Sequence, residues 1–270
     1  MSSDPVLCAL TIAGSDSGAG AGIQADLKTF AAHGVHGLSA IAALTAQNTR
    51  GVAAIHLPPA AFLNAQIDAC FDDFPIGAVK IGMLANAAVI AAVAAALERH
   101  RPPQVVLDPV MIATSGARLL DADALAALRD RLLPRASLLT PNIPEAETLL
   151  GHPIADAAAA DAALAELLAL GAPAVLLKGG HLPGDGAMLD RYGDHSQRAV
   201  FSHERLDVQP HGTGCTLAAA IAANLCHGGE LLKACAAATD YVHGALRNSW
   251  RPAHSKVSLL DHFWQHHRVN

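Results

Sequence analysis

Short apolar runs alternate with longer alanine-rich stretches along nearly the whole chain, and this alternation limits the possible folds more tightly than any other feature. Apolar runs at 6–13, 38–44, 51–57, 78–81, 104–107, 137–139 and 174–177 read as strands. Stretches at 23–32, 60–71, 87–99, 122–132 and 157–170, then 216–226 and 231–248, read as helices. Gly34, Pro58-Pro59 and Pro102-Pro103 punctuate them. Strands that are apolar throughout, rather than on alternate residues, belong to a sheet covered on both faces. The expected fold is α/β: one domain over 1–270, with a mostly parallel central sheet and helices on both faces. Only 187–208 departs from the rhythm. It is polar, contains Gly193 and His195, and reads as a small strand pair or a lid, the lid lying near 184–186.

A chain of 270 residues can bury a full core without disulfides or metal. Hydrophobic residues make up 52% and charged residues 16%, far from a disordered composition. The net charge of −6 comes with no basic stripe, which argues against nucleic acid as a partner. No apolar run reaches the length of a membrane span, and the segment 1–5 has no secretion-signal pattern. Cys8, Cys70, Cys215, Cys226 and Cys235 are odd in number and form no CxxC pair. Reduced thiols and a cytoplasmic location are the expectation.

Ligands of open α/β sheets sit beyond the carboxyl ends of the strands, so polar residues at those ends carry the chemistry. The run from Gly14 to Gly22 holds four glycines in nine residues. It is not a Walker A loop, because no Gly-Lys-Ser/Thr follows. It matches a dinucleotide fingerprint, but no acid follows the next strand to hold a ribose. A dehydrogenase is thereby disfavoured, and NADH titration by fluorescence would test it. Asp26, one turn further on, either faces the same pocket or simply favours the helix dipole. Gln47, in Thr45-Ala46-Gln47-Asn48-Thr49, carries a primary amide able to read the N and NH₂ edge of an aminopyrimidine. Asn142 and Glu145 either face a hydrated Mg²⁺ or form a capping box; the two roles are compatible. Lys178, directly after a strand and before two glycines, suits phosphate. The strongest signal is His211-Gly212-Thr213-Gly214-Cys215-Thr216, glycines leading into an alanine-rich helix. Its unpaired backbone N–H groups would form an anion hole. Cys215 would lie in that positive field, which lowers a thiol pKa.

Taken together, the blocks resemble a known family. They are Ala13-Gly14-Ser15-Asp16, Gly20 to Thr29, Thr45 to Thr49, Lys80-Ile81-Gly82-Met83-Leu84, Leu107-Asp108-Pro109-Val110-Met111, Thr140 to Ala146, Lys178 to His181 and His211 to Thr216. In this order, from Leu10 to Asn248, the sequence resembles the hydroxymethylpyrimidine/phosphomethylpyrimidine kinases of thiamine biosynthesis, in the ribokinase-like superfamily. The resemblance implies a homodimer and two successive ATP-dependent phosphorylations, of 4-amino-5-hydroxymethyl-2-methylpyrimidine and then of its monophosphate, with Mg²⁺ accompanying ATP. It implies that Gly14, Asp26, Gln47, Met83 and Val110 line the pyrimidine pocket. Asn142 and Glu145 would organise Mg²⁺ and phosphates, with Asn142, Lys178, Thr213 and Gly214 at the nucleotide. Gly212, Gly214, Cys215 and Lys178 would carry catalysis, Cys215 standing where most ribokinase-like relatives have an Asp base. The alternative is a pyridoxal kinase of the same branch. Those carry a second Cys shortly after the Asp-Pro-Val-Met segment, where this chain reads Ile112-Ala113-Thr114-Ser115. Thr114 also replaces a Lys of many pyrimidine kinases. A regulatory protein that has lost activity is a further reading, opposed by the intact Asn142, Glu145, Lys178 and Cys215.

Overall fold

The computed structural model describes residues 6–111, 120–121, 123–182 and 186–268. Positions 112–115 and most of the 184–186 segment therefore lie outside the described residues. The chain runs β1 (Cys8–Asp16), α1 (Gly22–Ala32), β2 (His36–Asn48), β3 (Gly51–His56), α2 (Ala60–Asp73), β4 (Ile76–Ile81), α3 (Ala87–His100) and β5 (Val105–Leu107). It continues through α4 (Ala124–Ala127), β6 (Leu138–Leu139), α5 (Ile143–Leu150), α6 (Ala157–Ala169), β7 (Ala174–Leu177), β8 (Met188–Asp194) and β9 (Arg198–His203). It closes with β10 (Pro210–His211), α7 (Thr213–Cys226), α8 (Leu231–Arg247) and β11 (Ser258–Leu259).

The main sheet has nine strands in the order β3-β2-β1-β4-β5-β6-β7-β8-β9. From β2 to β7 every pairing is parallel, and β3, β8 and β9 add antiparallel edges. The segment 187–208 thus supplies two further strands of the same sheet rather than a separate strand pair. The expected helix at 122–132 is α-helical only over α4 and continues as a π turn from Leu128 to Leu132.

Strand residues alternate between two apolar layers, as a period of two requires. Leu10, Ile12, Val79, Val105, Leu107, Leu139, Val175 and Leu177 pack with α2, α3, α5 and α6. Ala9, Ala78, Val106, Leu138, Ala174 and Leu176 pack with α1, α7 and α8. Each large aliphatic side chain so buried contributes about 1.5–3 kcal/mol by leaving water. On α7 the residues Ala218, Ala219, Ala220, Ala222 and Ala223 are all fully buried. Small side chains let this helix lie close against the sheet, which brings its first turn to the ends of the central strands. Among the described residues, no helix is long and apolar enough to cross a membrane.

Candidate active site

The carboxyl ends of β1, β2, β4, β5, β6 and β7 open into one cavity of about 790 Å³. Gly14, Gln47, Met83 and Val110 line it at one end, and Asn142, Glu145 and Lys178 line it beyond the central strands. Gly212, Thr213, Gly214 and Cys215 form part of the same wall. Asp26 is the exception among the residues expected at the pocket. It is fully buried and does not reach the cavity wall. Thr11 Oγ1 donates to its Oδ2 at 2.6 Å, and Lys80 Nζ pairs with the same oxygen at 2.9 Å. The Lys80 side chain does reach the cavity. Burial opposes its charge, but Asp26 outweighs burial and holds the ammonium above its ordinary range.

The first turn of α7 is held open by Gly212. Its φ of 84° lies in the left-handed region, and an added Cβ would run into the Gly20 carbonyl. The first helical bond is from Thr216 N–H to the Gly212 carbonyl, at 3.0 Å. The N–H groups of Thr213, Gly214 and Cys215 therefore have no partner within the helix, and no side chain caps it. Close by, Lys178 Nζ sits 2.9 Å from Asp108 Oδ1 and 3.8 Å from Glu145 Oε2. A Cβ at Gly214 would stand 3.0 Å from that ammonium, so glycine is what lets the helix start approach the lysine.

Glu145 and Asn142 do form a capping box. Glu145 N–H donates to Asn142 Oδ1 at 2.9 Å, and Asn142 N–H donates to Glu145 Oε2 at 2.8 Å. Proline early in α5 sets this turn. Burial pushes the Glu145 carboxyl up to about 7, with Asp108 adding and Lys178 opposing. For Lys178, burial works against the charge, but Asp108 and Glu145 prevail and raise its pKa.

The thiol of Cys215 departs from expectation. Its pKa is raised to about 11 instead of lowered. Burial is the main cause, and the carboxylates of Asp26 and Asp108 add to it, against Lys80 and the Gly22 N–H. At neutral pH the group is a thiol.

Next to the α7 start on the β1–β2 side, Asp16 Oδ2 accepts from the N–H groups of Gly20 and Ala21 at 3.0 and 2.9 Å, and Oδ1 accepts from Gly18 at 2.8 Å. His211 Nε2 lies 3.1 Å from Asp16 Oδ2. Burial acts against the carboxylate, but His211 and these N–H groups hold its pKa below the ordinary range. The Gln47 amide lies between Thr45 Oγ1, 3.1 Å from Oε1, and His211 Nε2, 3.3 Å from Nε2. Sequence reasoning assigned no role of their own to Asp16, Lys80, Asp108 or His211. Their common signal was present: an ionisable side chain within an apolar strand or at its end.

A helix start open to anions, a lysine and carboxylates gathered at the carboxyl edge of a parallel sheet define a ribokinase-like small-molecule kinase. The sequence matches the phosphomethylpyrimidine kinase family over residues 16–259, and the chain belongs to that family. It is 51% identical to the hydroxymethylpyrimidine/phosphomethylpyrimidine kinase of Rhizobium meliloti, over 88% of this chain and 90% of the relative. It is 52% identical to a thiamine biosynthesis bifunctional protein of Geobacter sulfurreducens, covering 88% of this chain but 49% of that longer protein. Among solved structures, the ADP complex of Bacillus subtilis pyridoxal kinase is similar, with a TM-score of 0.89 and 33% identity over 98% of this chain and all of that one.

Proposed function

We propose that this enzyme transfers the γ-phosphoryl group of ATP to the hydroxymethyl group of 4-amino-5-hydroxymethyl-2-methylpyrimidine, and then phosphorylates the resulting monophosphate. The observation that carries this reading is the single cavity joining Gln47 to the Lys178 and α7 end. A ring held at the Gln47 end directs its hydroxymethyl group toward Cys215 and the N–H groups of Thr213 and Gly214. Such a reaction needs mainly alignment and charge stabilisation. The backbone N–H groups and Lys178 supply the second, and Asn142 and Lys178 contact the nucleotide.

Mg²⁺ fits the donor set. Glu145 and Asp108 are hard oxygen donors beside Lys178, and Asn142 Oδ1 has one lone pair left after capping. Among the described residues no group of three or more His, Cys, Asp or Glu forms a metal cage. Mg²⁺ is ordinarily held by one or two carboxylates, water and substrate phosphates. When bound, the ion neutralises phosphate charge. A homodimer is supported by exposed apolar side chains near β3, namely Leu44, Ile55 and Phe62. The reduced cysteines support a cytoplasmic location.

ATP consumption with the pyrimidine alcohol, its monophosphate and pyridoxal in turn is the test. Turnover of both pyrimidines at a higher kcat/KM than pyridoxal is expected. A kcat/KM for pyridoxal equal to or above that for the pyrimidine overturns the assignment.

A further inference from the structure

The pyrimidine end of the cavity contains a hydrogen-bond conflict whose resolution identifies a specificity determinant. Thr45 Oγ1 carries one hydrogen. It lies 2.9 Å from the Ser15 carbonyl, which can only accept, and 3.1 Å from the Gln47 amide. The hydrogen goes to Ser15, so towards Gln47 the hydroxyl is an acceptor and calls for an amide N–H. On the other side, Asp16 receives three backbone N–H groups and faces His211 Nε2 at 3.1 Å. A carboxylate so placed only accepts, so His211 Nε2 carries a hydrogen. An NH₂ 3.3 Å from that nitrogen would face its N–H, so the amide atom there is an oxygen that shares the hydrogen with Asp16. Both constraints are met by a half-turn of the amide, which exchanges its oxygen and nitrogen without moving the chain.

We infer that Asp16, His211 and Thr45 lock the Gln47 amide with its oxygen towards His211 and its NH₂ towards Thr45, and that His211 is thereby a positioning residue that selects an amino-substituted ring. This rests on the pyrimidine reading of the site. One N–H and one oxygen lone pair of the locked amide remain for a ligand, in a fixed order. A ring nitrogen beside an exocyclic NH₂ presents an acceptor next to a donor, and it pairs with that order in one orientation only. In the 4-oxo analogue, a carbonyl beside a ring N–H, the order is reversed. An unlocked amide rotates to match either ring; a locked one rejects the second.

The experiment compares kcat/KM for 4-amino- and 4-oxo-5-hydroxymethyl-2-methylpyrimidine. The wild-type enzyme is expected to prefer the amino ring by about 10²-fold or more, since a polar group left unpaired against a bound ring is costly. In His211→Leu the ratio is expected to fall at least about tenfold, partly through a gain on the oxo ring, with KM for ATP unchanged. His211→Asn, which keeps an N–H donor, is expected to restore part of the preference. Thr45→Val removes the other half of the lock without removing a charge partner, and is expected to move the ratio the same way. It decides the matter if His211→Leu does not fold. An unchanged ratio in folded His211→Leu or, failing that, in Thr45→Val overturns the lock. A wild-type enzyme that turns over neither ring overturns the pyrimidine reading itself, and the lock with it.

Discussion

Glu145 caps α5 and, in the proposed reaction, helps hold Mg²⁺, and the two roles can be separated. Its pKa in the fold is about 7, against an ordinary value of 4.5. The folded state therefore holds a proton that the unfolded chain releases between those values. Stability from this residue is full below pH 4.5 and is lost as pH rises through 7. Glu145→Gln keeps an acceptor for the Asn142 N–H and removes the buried charge. The variant is expected to be more stable than wild type by about 1–3 kcal/mol at pH 8, with the gap closing at pH 5. Thermal melts across that range check it; a variant less stable than wild type at pH 8 contradicts it. The same variant is expected to lose turnover at limiting Mg²⁺, and wild-type activity there would leave Glu145 as a cap only. For Cys215, a pKa of about 11 means that a thiolate base is scarce at neutral pH and more abundant as pH rises. Cys215→Ala is expected to lower kcat by about 10²-fold with ATP affinity unchanged, because the anion hole is backbone. In wild type kcat/KM for the alcohol is expected to climb from pH 8 towards 10, and in the variant this rise is absent. An unchanged kcat with normal substrate binding would reduce the cysteine to packing.

At the scale of elements, the site depends on how α1, β1 and β4 are tied together beneath it. Thr11 of β1, Asp26 of α1 and Lys80 of β4 meet with both charged side chains wholly buried. Removing one charge from such a pair leaves the other uncompensated, at a cost of about 3–5 kcal/mol. Asp26→Asn is expected to lose that much in urea unfolding, and to lose activity because Lys80 and Cys215 share the floor of the cavity. A loss below about 1 kcal/mol would show that the lysine finds other compensation. An acid near the start of a helix is ordinarily read as complementing the dipole or facing a ligand. Here it bonds across two strands, and neither its spacing nor its neighbours in sequence indicated a lysine 54 positions away.

For the whole molecule, the β3 edge of the sheet exposes apolar side chains, as Val200 does at the β9 edge. β3 is an edge strand, with Ile55 at 42% exposure, and Phe62 at the start of α2 is 60% exposed. A second copy covering this margin is the expected state in solution, since exposed edges and apolar patches invite pairing. Light scattering is expected to give twice the mass of the chain, and the double variant Ile55→Asp, Phe62→Asp the mass of one. A monomeric wild type rules out this arrangement.

By itself the sequence determined most of the succession of strands and helices, the parallel sheet and the ends of strands where polar residues gather; α5, β10 and β11 were not among the expected elements. Those features follow from local periodicity, from proline and glycine, and from apolar runs too short for anything but buried strands. It also marked Gly14, Gln47, Asn142, Lys178 and the α7 start as candidates, because their residue types stand out at strand ends. What only the tertiary structure decided is which side chains meet. The strands of 187–208 join the main sheet because β7 has an open edge, which their own composition does not reveal. Asp26 turns inward because Lys80 is there to receive it. Cys215 is a thiol because burial and two carboxylates from distant segments raise its pKa. Pairing and burial are sums over residues far apart in the chain, and local pattern carries no record of them.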